Sequence, residues 1–179
     1  TNLAGGAEKK TRKNENTADL GALYNGVNQT GEARRRYTYD NIDVAQTVDY
    51  LAARAMTGDT DCCHKNYYFY RDTGVSDEWV MWAWDVDLSF GRVWTSARSY
   101  WEQILNPSTP LFIGAGNRFA DAIFQTPEMR QMYLRRVRTL MDELMKPAGT
   151  PLEQLNWEPR MDELSALIGP DAALDAARW

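Results

Sequence analysis

The stretch that decides the fold reads NYYFYRDTGVSDEWVMWAWDVD, residues 66–87. Its two aromatic and apolar runs, residues 66–70 and 79–84, are too short for helices and have the composition of strands. A connection of roughly seven or eight residues between them is rich in Asp, Gly and Ser, which favour turns. The pattern predicts a β-hairpin in which the numbers of opposed residues sum to about 150.

The hairpin carries many large aromatic side chains. Exposed rings of this kind can stack on sugars or bases, but alternating burial across a hairpin accounts for them more simply. We therefore predict core packing for most of the set, which comprises Tyr67, Tyr68, Tyr70, Trp79, Trp82 and Trp84.

Helices are expected on both sides of the hairpin, so the fold class is predicted as α+β and mostly helical. The expected helices are residues 18–25 after a Thr17 cap, 43–57 with an Asp40 or Asn41 cap and a Gly58 stop, 117–125, 127–146, 159–168 and 171–179. Gly169 and Pro170 are expected to separate the last two. The final helix has no C-terminal cap, so the chain is expected to continue beyond it.

Composition limits the classes of function. The chain has 179 residues, enough for one domain or part of one, and is 44% hydrophobic, which favours a folded protein. Its formal net charge of −5 argues against nucleic acid as a partner recognised by bulk charge. The longest apolar run has six residues, 79–84, far fewer than a membrane span needs. Cys62 and Cys63 are adjacent and are expected to be reduced thiols packed in a loop.

Polar residues cluster where the hairpin begins and ends. In the predicted register Asn66 lies beside residue 84 or 85, and Asp61, in the preceding loop, can fold over the same end. Asp61, Asn66, Asp85 and Asp87 offer only oxygen ligands, which suit Mg²⁺ or Mn²⁺ and also Ca²⁺. They could instead be ordinary turn and cap residues, or a structural Ca²⁺ site at 85–89. His64, the sole histidine, is expected to hydrogen bond within the loop rather than act as a base.

The spacing of these groups matches a known order. Protein kinases place an Asp five residues before an Asn, then a two-stranded hairpin, then a metal-binding Asp shortly before Phe-Gly. Here Asp61 and Asn66 are five apart, Asp85 directly follows the second predicted strand, and Phe90-Gly91 comes soon after. In these segments, 61–70 and 84–91, the chain resembles the CotH (spore coat protein H) family of atypical secreted protein kinases.

The resemblance implies a fold, a reaction and roles for the residues. The fold would be the C-terminal lobe of an atypical kinase-like fold, with the hairpin at the active site. Asp61 would be the catalytic Asp, Asn66 and Asp85 would hold the ATP-bound metal ions, and Asp87 would support them. The reaction would be ATP- and Mg²⁺- or Mn²⁺-dependent phosphorylation of Ser or Thr hydroxyls. The substrate would be a secreted or surface protein, which also implies an extracellular or cell-surface location.

The chain also departs from ordinary kinases. Asp59-Thr60 stands where they have His-Arg, Cys63 stands where they have a Lys, and four residues separate Asp85 from Phe90. Residues 1–179 are expected to be a single partial domain, without the lobe that covers the phosphates, and therefore inactive in isolation. The alternative function is a catalytically silent surface or adhesion module that keeps the lobe for binding partners. An upstream strand Lys and helical Glu would favour the enzyme.

Overall fold

The computed structural model describes residues 8–59, 61–90, 92 and 111–178. Its helices are α1 (Ala18–Val27), α2 (Gly31–Asn41), α3 (Val44–Met56), α4 (Arg118–Phe124), α5 (Pro127–Leu144) and α6 (Glu158–Arg178), and its strands are β1 (Tyr67–Arg71) and β2 (Trp79–Ala83). The chain forms two compact units, Thr1–Val137 and Arg138–Trp179. The described part is mostly helical with one small antiparallel sheet, as the sequence predicts.

The hairpin and its register are confirmed. β1 and β2 pair antiparallel from Tyr67 opposite Ala83 to Arg71 opposite Trp79, so the paired residue numbers sum to 150. The turn occupies residues 72–78, where the side chain of Asp72 accepts hydrogen bonds from the backbone N–H groups of Gly74 and Val75. This register places Asn66 just outside the ladder at the end of the hairpin opposite the turn.

Helix α3 packs against β2. The Gln46 side chain donates to the Met81 carbonyl at 2.6 Å and accepts from the Met81 N–H at 3.3 Å, the two hydrogen bonds that the backbone of an adjacent strand would make. The backbone N–H of Asp43 donates to the Trp79 carbonyl at 3.0 Å. Leu51 and Met81 are fully buried in the core between them. These contacts join the N-terminal end of α3 to β2.

Before the hairpin the predicted cap of α3 is wrong, and α2 is a helix that the sequence pattern did not predict. The Asp40 and Asn41 residues, expected to cap α3, are the last turn of α2, and the cap is Asp43, whose carboxylate accepts from the Gln46 N–H at 2.9 Å. Helix α2 lacks an apolar stripe, and Thr38 is its one buried residue. The 3.6-residue periodicity that identifies a surface helix is therefore absent from its sequence.

The predicted break at Gly169-Pro170 is also wrong, because α6 continues through Pro170. A proline removes one backbone hydrogen bond and crowds the preceding residue. That preceding residue is Gly169, which has no Cβ, so the crowding is small.

Among the described residues, no helix combines the length and the apolar character needed to cross a membrane.

The aromatic residues of the hairpin do not all enter the core. Trp79 is buried and Tyr67 is partly buried, whereas the side chains on the other face are exposed, contrary to the prediction. The exposed set is Tyr68, Tyr70, Trp82 and Trp84, at 38%, 53%, 59% and 58%. Alternation across the strands is present, but the second face is uncovered in the part of the chain that the structure describes.

The prediction of two reduced cysteines is wrong as well. The structure joins Cys62 to Cys63 in a disulfide between adjacent residues. Cys63 is 1% exposed, and its carbonyl accepts a hydrogen bond from the Asn117 side chain at 2.5 Å. Because Asn117 also caps α4, this contact connects the loop before β1 to that helix.

Candidate functional site

Asp61 and Asn66 are brought together at the end of the hairpin. The Asn66 Nδ2 atom donates to Asp61 Oδ2 at 2.7 Å and lies 3.4 Å from the Asp61 carbonyl. Asn66 has a φ of 65°, a left-handed conformation that Asn adopts more readily than most residues. Since its amide nitrogen faces Asp61, the amide oxygen of Asn66 is left as an acceptor for another group.

Two further side chains of the same loop approach the Asp61 carboxylate. Lys65 Nζ lies 3.1 Å from Oδ2, and His64 Nε2 lies 3.3 Å from Oδ1. The Asp61 side chain is 15% exposed, while His64 and Lys65 are largely exposed. The hydrogen-bonding role expected of His64 within the loop stays a prediction, since its contact with Asp61 is one of proximity. The hydrogen bond that orients the Asp61 carboxylate is the one from Asn66 to Oδ2.

A buried ion pair lies beneath this loop, and the sequence reasoning missed it. Arg54 Nη1 is 2.6 Å from Asp59 Oδ2, and the two side chains are 5% and 0% exposed. Arg54 Nη2 donates to the Asn66 carbonyl at 3.2 Å, and Asp59 Oδ1 accepts from the Asp61 N–H at 3.0 Å. Each member of the pair therefore holds the backbone of one candidate site residue.

Burial perturbs the acids around this pair. It raises the pKa of the Asp59 carboxyl, with the attraction of Arg54 acting in the opposite direction. Burial likewise raises the pKa of Tyr50 to about 12, and the Arg54 guanidinium lies 5.4 Å from the centre of the Tyr50 ring. The C-terminal end of α3 is consequently a desolvated polar region that contains a buried ion pair.

Asp85 lies two residues beyond the end of β2, directly after the residue whose backbone pairs with Asn66. The Trp84 N–H donates to the Asn66 carbonyl at 3.2 Å, so Asp85 is one residue beyond the residue opposite Asn66. Asp85 is exposed and has a φ of 51°. Farther along, the Phe90 N–H donates to the carbonyl of Thr57, at the end of α3, at 2.6 Å. One helix end therefore contacts both chain segments of the candidate site.

The donor set fits a hard divalent cation by its chemistry. The amide oxygen of Asn66 and the carboxylates of Asp85 and Asp87 are the ligand types that Mg²⁺ prefers. Asp87 Oδ2 also lies 3.3 Å from Arg92 Nη1. Within the described ranges, no group of three or more His, Cys, Asp and Glu side chains is placed to hold a metal ion. The set of two carboxylates and one amide stays a prediction.

A cleft of about 1700 Å³ opens beside the loop. Of the four candidate residues only Asn66 is among its described lining, next to His64 and Lys65 of the loop and Tyr68 of β1, so the cleft borders the candidate site without including Asp61, Asp85 or Asp87. The Tyr68 and Trp84 rings meet edge to face, with centroids 5.4 Å apart. Tyr68 lies two residues after Asn66 and Trp84 immediately precedes Asp85, so this exposed aromatic pair is near both residues along the chain.

An Asp and an Asn five residues apart, a hairpin, and an Asp directly behind it form the order of groups found in kinase-like phosphotransferases. A family model described as CotH kinase protein matches residues 1–179, the whole chain, and the protein therefore belongs to the CotH kinase family. Comparison with curated proteins gives no match, and comparison with solved structures gives none either.

Proposed function

We propose that residues 1–179 form the catalytic lobe of an ATP- and Mg²⁺-dependent protein kinase that phosphorylates Ser or Thr hydroxyls of secreted or surface proteins. The observation that carries the proposal is the hydrogen bond of 2.7 Å between Asn66 and Asp61 at the hairpin end that leads to Asp85. Membership of the CotH kinase family supports the same class of reaction. On this proposal the chain is the C-terminal lobe of a kinase-like fold and acts with a nucleotide-binding lobe.

Asp61 has the surroundings of a group that receives the acceptor hydroxyl. Its carboxylate is oriented by Asn66 and approached by Lys65 and His64. A carboxylate held in this way can accept a hydrogen bond from the hydroxyl and take its proton as the oxygen attacks the γ-phosphorus. The bond from that phosphorus to the bridging oxygen of ADP then breaks, and the phosphoryl group is transferred to the hydroxyl oxygen.

Asn66 and Asp85 are the residues proposed to hold the cation, with Asp87 in support. A bound Mg²⁺ or Mn²⁺ supplies charge neutralisation for the triphosphate oxygens. The chain contributes the amide oxygen of Asn66, which is left available because the nitrogen is committed to Asp61. It also contributes Asp85, which is positioned by the backbone pairing of Trp84 with Asn66.

The aromatic rings beside the site suit the base of the nucleotide. Tyr68 is 38% exposed and lies two residues after Asn66, and Trp84 is 58% exposed and immediately precedes Asp85. Stacking of a purine on such rings contributes roughly 1–3 kcal/mol per base in other proteins. This gives the exposed face of the hairpin a function that the expected core packing did not include.

The test is phosphate transfer by the natural full-length protein to a protein acceptor, measured with labelled ATP at several Mg²⁺ and Mn²⁺ concentrations. Asn66→Ala is expected to raise the metal concentration required for half-maximal activity, because one oxygen ligand is lost. Asn14→Ala, an exposed asparagine away from the site, is the matched control and should behave as the wild type.

Two outcomes of this assay would contradict parts of the proposal. Absence of metal-dependent transfer from wild-type protein, across protein acceptors and with either cation, would contradict the enzyme and favour the catalytically silent surface or adhesion module. Equal metal requirements for wild type and Asn66→Ala would remove Asn66 from the site while leaving the reaction class intact.

A further inference from the structure

The Arg54–Asp59 pair touches the candidate site at both ends of one loop. Asp59 accepts from the backbone N–H of Asp61 at 3.0 Å, and Arg54 donates to the backbone carbonyl of Asn66 at 3.2 Å. The backbone N–H of Asp59 donates in turn to the Arg54 carbonyl at 3.1 Å, closing the connection at the end of α3. The first and last residues of the loop, Asp61 and Asn66, are therefore each hydrogen bonded through the backbone to one of two oppositely charged, buried side chains.

We propose that Arg54 and Asp59 are positioning residues, which set the separation of Asp61 from Asn66 and so align the group facing the acceptor with the group facing the metal. This inference rests on the proposed function for its activity readouts. It assigns roles to two residues that neither the kinase motif nor the sequence reasoning includes.

Stability alone is a poor explanation for this arrangement. Removing two charges from water is costly, and replacing a buried ion pair by apolar residues is often neutral or stabilising. An apolar pair could not, however, donate to the Asn66 carbonyl or accept from the Asp61 N–H. Two nitrogens of the guanidinium approach two different groups: Nη1 lies 2.6 Å from Asp59 Oδ2 as an ion pair, and Nη2 donates to the Asn66 carbonyl at 3.2 Å. What the pair supplies beyond packing is therefore the geometry of the loop.

Substitution of each residue is expected to change a different kinetic quantity in the natural full-length protein. Arg54→Lys keeps the charge but loses the fork, so the hold on Asn66 weakens and the required metal concentration rises by about tenfold or more. Asp59→Glu keeps the ion pair but shifts the oxygen that receives the Asp61 N–H. We expect kcat to fall by about tenfold or more while the KM for ATP is unchanged.

A matched control is available on the same helix. Asp49 of α3 pairs with Arg136 at 2.8 Å, but the two side chains are 57% and 37% exposed. Arg136→Lys and Asp49→Glu repeat the two substitutions in a solvated pair that does not contact the loop. They should change neither kcat nor the metal requirement. If Arg54→Lys and Asp59→Glu behaved like these controls, the pair would have no positioning role.

A measurement on unmodified protein covers the case in which the variants fail to fold. The Asp61 amide hydrogen should exchange slowly, as an N–H held by a buried carboxylate does, and NMR or mass spectrometry can measure its rate. Exchange at the rate of an exposed loop would overturn the proposal. This readout needs no kinase activity, so a failure of the proposed function and a failure of the positioning role give different results.

Discussion

The loop of residues 61–66 and the segment of residues 85–90 meet at one end of the hairpin but are held in different ways. The loop is hydrogen bonded to the buried Arg54–Asp59 pair, whereas Asp85 and Asp87 lie on an exposed segment. That segment is anchored farther along, by buried Leu88 and by the contact of the Phe90 backbone with Thr57. If the proposed function holds, the fold fixes the hydroxyl-facing Asp61, whereas the metal-facing Asp85 and Asp87 complete their geometry only with the cation bound.

The largest expected effect on activity comes from the exposed segment of residues 85–90. Asp85→Asn should abolish phosphate transfer and raise the apparent Mg²⁺ requirement, because the triphosphate loses its charge-neutralising partner. Asp175→Asn, on the exposed surface of α6, is the control for a lost carboxylate. Labelled-ATP assays of the natural full-length protein over a range of Mg²⁺ concentrations provide the measurement. Full activity of Asp85→Asn would remove the exposed segment from the site.

The next largest effect on activity is expected from the loop of residues 61–66. Asp61→Asn should reduce kcat by about 10² to 10⁴, the range for a lost general base or orienting group. The KM for ATP should change much less than kcat, since Asp61 faces the acceptor and reaches the proposed metal site only through its hydrogen bond with Asn66. Steady-state kinetics against a protein acceptor separates the two constants. A large rise in the KM for ATP at unchanged kcat would place Asp61 with the metal ligands.

The two faces of the hairpin provide a smaller contrast. Met81→Ala should destabilise the fold by about 2–5 kcal/mol, because Met81 is fully buried and a cavity is left. Trp82→Ala, at the adjacent position and 59% exposed, should change stability by only about 0.5 kcal/mol. Denaturant unfolding followed by circular dichroism measures both. Comparable losses would mean that the outer face is covered in the whole protein.

The hairpin was predictable because its information is local. A period of two, turn residues and two short apolar runs define strands, register and the neighbours of Asn66 without any knowledge of the rest of the chain. The same pattern cannot reveal whether the second face is covered. For that reason the exposure of Tyr70 and Trp82 was missed while the register was correct.

The supports of the site were not predictable in the same way. Asp61 and Asn66 were identified by spacing, but Arg54 and Asp59 look like a helix-end cation and a turn carboxylate when read as sequence. Their burial depends on how α3 packs against β2, through contacts such as Gln46 with Met81. A long-range contact of this kind leaves no periodic signal in a single sequence.

The smallest expected effect is a difference in pH dependence between a buried and an exposed carboxyl. Burial raises the pKa of Asp59 in the fold, whereas the Arg35 guanidinium, bound to Glu128 at the surface, lowers the pKa of that carboxyl. The folded state therefore binds the Asp59 proton more tightly than the unfolded chain does. It binds the Glu128 proton less tightly.

Because the two pKa shifts have opposite directions, the two carboxyls should contribute opposite slopes to the free energy of unfolding as a function of pH. Each slope is obtained by comparison with a variant that cannot titrate. The contribution of Asp59, taken against Asp59→Asn, should be greatest below the ordinary pKa of Asp and fall as the pH rises through the raised value. The contribution of Glu128, taken against Glu128→Gln, should be present above the ordinary pKa of Glu and be lost as the pH falls through the lowered value. Denaturant titrations of the three proteins across acidic pH measure both slopes. Parallel slopes would show that the attraction of Arg54 outweighs burial at Asp59, and the two ion pairs would then differ in exposure but not in electrostatic character.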